Sequence, residues 1–445
     1  MGSTKQDNTT GKAPEIKSEK MTGSKMKINF TLESSEFDKF VKKVAEEISK
    51  NMSVDGFRKG KIPFEVVKKE AGEDRLLYEA GEEAVKHYYV DYVVNNNIEA
   101  VGQPEVKFQK IGFGEDLEVE MEVAILPEVS LKDNWKKAIS EVNEKHKDGS
   151  AEATEEEIQH ELNTLANQRA KISTVDREAR QGDQVQVDFQ VFKDNVALEG
   201  GTAQDHQLTL GQGRFIPGFE ENLEGMKAGE EKDFDLQFPE EYHQKHLAGQ
   251  AAKFKVKMKN VQQRDLPEIN DEFASGIGKF QSLQELKDNI KKGLEEEKKK
   301  QAQQAKNRDI IDALVKNSEI ELPEVLVDKE IEGMKSELES ELSRMGLDKN
   351  SYFSQMGTTE EEMTKQWREK EAPNRVKAGL ILRKLSKEEK LEPSKEDVQE
   401  RATAILQQYQ VMQGEKQENL DIQKIYESVK SELSNEKVLE YLATL

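Results

Sequence analysis

Apolar residues occupy every second position from Lys25 to Leu32, at Met26, Ile28, Phe30 and Leu32. That is the period of a strand with one buried face. The period then changes. Phe37, Phe40, Val41, Val44, Ala45 and Ile48 recur at helical spacing, and Ser34 and Ser35 can cap the helix that carries them. A short helix is expected over Phe64–Ala71. A longer one is expected from about Asp74 to Asn97, with Leu76, Leu77, Ala80, Ala84, Tyr88 and Tyr92 as its stripe. Alternation returns near Val106–Ile111 and again over Leu117–Ile125, where Glu118, Glu120 and Glu122 face outward. Residues 25–130 therefore form an α+β domain. Residues 1–24 are Lys, Ser, Thr and Gly without an apolar run, and are expected as a disordered leader rather than a secretory signal.

The segment 131–170 is expected as a linker, charged at first, then helical from a capping box of Thr154 and Glu157. From 171 to 266 the pattern is short alternating strands. Val185, Val187, Phe189 and Val191 form one, Phe234, Leu236 and Phe238 a second, and Phe254, Val256 and Met258 a third. This is a small antiparallel sheet crossed by one short helix. From 267 onward the chain reads as helices near 282–317, 323–345, 359–390, 394–413 and 418–443. Their apolar stripes are thin, so elongated all-α arms are expected rather than a dense bundle. Pro373 falls inside a helical pattern and should kink or break it.

Composition narrows the chemistry. The chain has 445 residues, 35% charged, with a formal net charge of -22. It has no cysteine, which removes disulfides, thiol catalysis and thiolate zinc sites. No apolar run is long enough to span a membrane, and a cytoplasmic location is expected. Against this acidic background, Gly56-Phe57-Arg58-Lys59-Gly60-Lys61-Ile62-Pro63 stands out. Two glycines and a proline make it a shaped loop, and its cations form a basic tip on an acidic body. Its glycine spacing is wrong for a P-loop, and Ile62 stands where a magnesium-binding hydroxyl should be. Phe57 beside Arg58 and Lys59 fits an interface anchor.

Other motifs are incomplete. His160-Glu161 lacks the second histidine of a zincin, since Thr164 stands there. His243 and His246 share a helical spacing without further ligands. Gly211 and Gly213 begin a dinucleotide pattern that Ile216 breaks. No metal, nucleotide or other cofactor is expected.

The Gly56–Pro63 run resembles the signature of the bacterial trigger factor family, ribosome-associated chaperones. The segment Gly211-Gln212-Gly213-Arg214-Phe215-Ile216-Pro217-Gly218-Phe219-Glu220, the run Phe238-Pro239-Glu240-Glu241-Tyr242-His243 and the helical last third resemble the same family. The resemblance runs from about Lys25 to the end. It implies a ribosome-binding domain docking through Gly56, Phe57, Arg58, Lys59, Gly60 and Lys61 on the large subunit, against protein and rRNA beside the exit tunnel. It implies an FKBP-type peptidyl-prolyl isomerase at 171–266. There Phe189, Phe215, Ile216, Phe219 and Phe254 match apolar pocket positions, and Tyr242 matches a tyrosine near the substrate. By periodicity alone these read rather as the core of a small β-domain, since alternating aromatics are more often core. Departures from the family pattern are Gln190-Val191, Leu198 and His206, the last standing where a pocket Phe is common. They imply a weaker isomerase or an altered preference for the residue before proline.

For the arms, the resemblance implies a cradle that holds nascent and unfolded polypeptides, and self-association as a homodimer off the ribosome. Met345, Tyr352, Phe353, Met356, Met363 and Trp367 are the candidate client contacts, being adaptable apolar side chains among polar ones. The same composition suits a small core where helices meet, and the pattern leaves both open. The rival readings are a free-standing isomerase with oligomerising helices and a helical scaffold around an inert middle domain.

Overall fold

A strand needs partners for its backbone on both sides, and the first sheet supplies them from an unexpected place. In the computed structural model, which describes residues 14–147, 151–193, 196–242, 247–413 and 421–445 (the side chains of Glu199 and residues 408–413 excepted), β1 spans Glu15–Met21. It pairs antiparallel with β2, Lys25–Leu32, setting Ile16 opposite Phe30. The second half of the expected leader is thus a strand. Its polar composition is that of an edge strand, where lysines discourage pairing with other chains. Composition alone did not reveal that β2 needed a partner on that side. Residues 1–13 lie outside the described residues.

Helices α1 (Ser34–Asn51), α2 (Phe64–Ala71) and α3 (Glu73–Asn95) follow. Strands β3 (Ala100–Lys110) and β4 (Leu117–Ile125) complete an antiparallel sheet of order β1-β2-β4-β3. Met26, Ile28, Phe30 and Leu32 from β2 and Leu117, Val119, Met121 and Val123 from β4 are all buried. They pack against Phe37, Val41 and Val44 of α1 and Leu76, Ala80 and Ala84 of α3 in one core.

The chain divides into two units, Met1–Asp148 with Gln304–Leu445, and Gly149–Gln303. The expected linker 131–170 contributes to both. In the first unit, β5 (Ser130–Leu131) pairs with β11 (Ser318–Glu319), and α4 (Trp135–Lys145) buries Ile139 completely. Ile139 lies in a core with Ile310, Leu314, Ile381, Leu385, Val438 and Leu442. At its end, Lys145 and His146 both hold Asp309, at 2.9 Å each, and those hydrogen bonds lower the Asp309 pKa to about 2. Trp135 and Val142 are half-buried against the same core, so an apolar stripe at helical spacing holds α4 in place.

In the second unit, α5 (Glu155–Gln168) starts at the Thr154–Glu157 capping box. Ile158, Leu162 and Ala166 pack with Phe273 and Ala274 of α7 (Asp271–Ile277) and Leu286 of α8 (Leu283–Lys316). The second sheet holds β6 (Lys171–Thr174), β7 (Gln184–Lys193), β8 (Val196–Thr209), β9 (Glu231–Gln237) and β10 (Ala251–Asp265). Its order is β6-β10-β7-β8, with β9 also on β10 and all pairs antiparallel. The short helix α6 (Phe219–Leu223) inserts Phe219 and Leu223 into its core.

The remaining helices are α9 (Glu324–Met345), α10 (Lys349–Met356), α11 (Glu360–Gln366), α12 (Ala372–Glu388), α13 (Lys395–Gln413) and α14 (Ile422–Leu442). Pro373 is expected to kink or break its helix, but the helical run continues through it with only a change of turn. The turn before it, Trp367–Glu371, is a π turn in which the Ala372 N–H donates to the Trp367 carbonyl. A wider turn accommodates a ring that lacks an N–H and would collide with the carbonyl four residues back. Two small clusters secure these helices. One joins Val327, Ile331, Met334 and Ala372, and the other Val398, Ala402 and Val429.

If α4 belongs to the helical core, Ile139→Ala costs about 3 kcal/mol there. Amide exchange at residues 310–314, 381–385 and 438–442 should then accelerate roughly a hundredfold. Unchanged exchange would mark 131–147 as a free linker.

Candidate functional site

Aromatic side chains from four elements of the second sheet converge. Phe189 on β7 meets Phe215 at 5.8 Å and Phe219 at 5.8 Å, both edge to face. Phe215 stacks on Phe219 at 4.5 Å and 15°. Phe219 in turn meets Phe254 at 5.6 Å. The six expected residues separate into layers. Phe219 and Phe254 are buried and form the floor, while Phe189, Phe215, Ile216 and Tyr242 are half-buried around it. Tyr242 joins indirectly, through Phe238 at 4.7 Å, which packs on Phe254 at 6.2 Å. Phe238 and Phe234, the latter stacked on Phe254 at 5.8 Å, belong to the same assembly, as does His206. The alternation over 234–238 carried the signal for the two phenylalanines, but not their position under the pocket.

The segment that presents Phe215 and Ile216 has no regular structure of its own. Glu220 holds it. This carboxylate is buried and accepts backbone N–H bonds from Gly211 at 2.7 Å, Gly213 at 3.1 Å and Arg214 at 2.9 Å. Burial opposes the charge and is the largest single influence. The backbone amides together outweigh it and keep the carboxyl below its ordinary range. Gly218 completes the turn at φ +92, and a Cβ there would sit 2.8 Å from Leu236 Cδ2. Only glycine fits both constraints.

This arrangement needs no nucleophile. Rotation about an X–Pro bond is opposed by amide resonance, with a barrier of ~18–20 kcal/mol. A floor and walls of aromatic rings strip water from the amide and hold the chain twisted, which favours the rotated state over the planar one. Among the described residues no group of three His, Asp or Glu is placed to hold a metal. His160 is exposed on α5, and His243 and His246 lie outside the described residues.

The Gly56–Pro63 loop is an exposed turn held by backbone hydrogen bonds. Gly56 and Gly60 take φ +86 and +75. The Phe57 N–H donates to the Val54 carbonyl at 3.1 Å, and the Lys61 N–H to the Arg58 carbonyl at 2.9 Å. Ser49, buried at the end of α1, anchors the base. Its carbonyl accepts from Gly60 N–H at 2.9 Å and its hydroxyl from Ile62 N–H at 3.3 Å. Ile62 is buried, whereas Phe57 is 43% exposed. Arg58, Lys59 and Lys61 are exposed and have no ion-pair partner among the described residues.

The six candidate client residues do not share one environment. Phe353 is buried and meets Tyr352 at 5.4 Å. Trp367 is half-buried on Val327, Ile331 and Met334, and Met363 is also half-buried. Met345 and Met356, at 61% and 59% exposure, are open to solvent, as is Leu347, which periodicity did not single out.

Replacing Glu220 by Gln should loosen the 211–216 segment by about 2 kcal/mol, because three amides lose a charged acceptor. Amide exchange at Gly211, Gly213 and Arg214 should rise roughly thirtyfold, and the isomerisation rate should fall. The lowered pKa sets the sign with pH. The stabilisation from Glu220 is complete above its ordinary value of 4.5 and is lost as pH falls through the lowered folded value. The Gln variant should lack this acid-dependent loss. A variant whose exchange tracks the parent's through that window would refute the assignment.

Three family models match the chain in order. They are "Bacterial trigger factor protein (TF)" over residues 14–165, "FKBP-type peptidyl-prolyl cis-trans isomerase" over 175–259, and "Bacterial trigger factor protein (TF) C-terminus" over 282–444. A trigger factor from Halalkalibacterium halodurans is 34% identical over 426 residues, covering 95% of this chain and 97% of its own. One from Clostridium kluyveri is 34% identical over 428 residues, covering 96% and 98%. One from Listeria monocytogenes is 36% identical over 396 residues, covering 88% and 91%. A solved structure titled "Promiscuous Substrate Recognition in Folding and Assembly Activities of the Trigger Factor Chaperone" aligns at 19% identity and a TM-score of 0.44, over 97% of this chain and 99% of its own. The sequence matches alone decide the matter: the chain belongs to the trigger factor family of ribosome-associated chaperones and carries an FKBP-type peptidyl-prolyl isomerase domain.

Proposed function

We propose that this chaperone docks on the large ribosomal subunit beside the nascent-chain exit through Phe57, Arg58, Lys59 and Lys61, with Gly56 and Gly60 shaping the loop. The observation that carries this reading is the exposed Phe57 beside cations without an ion-pair partner among the described residues, on a turn held by hydrogen bonds. Holding a large apolar ring in water has no stabilising role in the free protein, and a partner surface gives it one. Arg58, Lys59 and Lys61 pair with RNA phosphate or acidic protein groups, and Phe57 fills an apolar contact. The acidic remainder of the chain repels RNA, so the tip sets the orientation.

The aromatic assembly around Phe219 is the isomerase pocket. The helices after 304 hold emerging segments without ATP, through exposed, adaptable side chains such as Met345 and Met356. Such contacts are individually weak, which lets clients leave and fold without a nucleotide cycle. The buried Phe353 and the packed Trp367 act in this reading as supports for that surface. The protein works in the cytoplasm, partly ribosome-bound.

Changing Phe57, Arg58 and Lys59 together to Ala should cut ribosome co-sedimentation at least tenfold, while proline-limited refolding in solution proceeds at the parent rate. Parent binding should weaken steeply with salt. A triple variant that still co-sediments normally would overturn the docking site and favour a free-standing isomerase.

A further inference from the structure

His206 is, with Tyr242, a polar ring in a pocket otherwise walled by apolar side chains among the described residues. It packs edge to face on Phe189 at 5.8 Å and on Phe215 at 5.2 Å, so it forms a wall. It is half-buried, and its ring nitrogens have no hydrogen-bond partner among the described residues. Phe189, Phe215, Ile216, Phe219 and Phe254 offer a peptide no polar atom. A neutral imidazole offers one donor and one acceptor.

The backbone goes to some length to place this ring. The β7–β8 register shifts between Val187, which faces His206, and Phe189, which faces Ala203. The extra length on β8 is a bulge, a device that re-aims side chains. Asp205 sits in it at φ +55, in the left-handed region that non-glycine residues seldom adopt. A polar network fixes it there. The Asp205 N–H donates to Asp188 Oδ1 at 2.7 Å, and Gln186 Nε2 donates to Asp205 Oδ1 at 3.0 Å. Lys259 Nζ donates to Asp205 Oδ1 as well and lies 3.8 Å from Asp188.

We propose that His206 determines specificity: its ring hydrogen-bonds a carboxamide or carboxylate side chain beside the substrate proline, and Asp205 positions it. This rests on the aromatic assembly being the proline pocket. An apolar side chain closing over His206 offers its ring nitrogens no partner, whereas a Gln or Glu side chain offers one. One such bond is a factor of about ten in relative binding.

The test uses the full chain and short peptides with Leu-Pro, Phe-Pro, Gln-Pro and Glu-Pro centres. Both kcat/KM for isomerisation and Kd by NMR titration are measured. The parent should favour Gln-Pro and Glu-Pro, relative to Leu-Pro and Phe-Pro, about tenfold more than His206→Phe does. His206→Gln, which keeps a donor and an acceptor, should retain most of the preference. Asp205→Ala should lose it as His206→Phe does, with Phe215 amide exchange unchanged. Equal ratios in the parent and His206→Phe overturn the proposal. So does a uniform fall for all four peptides, which would make His206 a wall only. If the parent turns over none of the peptides, the isomerase reading of the pocket fails, while the Kd ratios still decide the role of His206.

Discussion

A helix or sheet stays in place only where its apolar face finds a partner, and this chain has few apolar residues to distribute. Hydrophobic and charged residues each make up 35% of it. The described structure answers with several separate cores rather than one. The first sheet and the second sheet each have a dense one, and the helical regions are secured by groups as small as Val398, Ala402 and Val429. Each cluster stabilises only its own neighbourhood, so opening one need not open the others. A protein that binds varied unfolded segments benefits from that independence, because its apolar surface is left partly uncommitted.

Where the cores end, single polar groups take over the positioning. Ser49 fixes the base of the Gly56–Pro63 loop with its carbonyl and its hydroxyl. Glu220 gathers three backbone amides and so aims Phe215 and Ile216. Asp183 does similar work nearby. It is buried, takes a bidentate contact from Arg177 at 2.6 and 3.0 Å, and accepts from the Arg180 N–H at 2.9 Å. In each case a buried acceptor satisfies amides that a loop would otherwise leave unpaired. The loops are thus held by hydrogen bonds where regular secondary structure is absent.

Much of this was legible along the chain. Period-two and helical spacing located β2, α1, α2, α3, β4, β7, β9 and β10, because each has one face that must be buried, but not β6 and β8. Glycine and proline marked the Gly56–Pro63 loop, and Pro373 marked its irregular turn. The pocket was different. Phe189, Phe215, Phe219 and Phe254 read more readily as core, and only the resemblance to a known family singled them out. The strand at Glu15–Met21 was missed because an edge strand needs backbone pairing more than apolar side chains. The packing of α4 was missed although Trp135, Ile139 and Val142 recur at helical spacing, because the charged residues between them made the segment read as a linker.

The sequence by itself determined the strongly patterned helices and strands, which loop carries the exposed cations, and which family the chain resembles. These depend on local spacing and residue type, which one chain displays in full. Only the tertiary structure decided that Phe353 is buried while Met345 and Met356 are exposed, that Phe219 is floor and Phe215 wall, and that Glu220 holds the rim. It also decided that His206 meets Phe189 and Phe215 and that Asp205 before it takes the left-handed region. Burial and orientation are set by what the rest of the chain brings alongside, and no spacing rule within one segment records that.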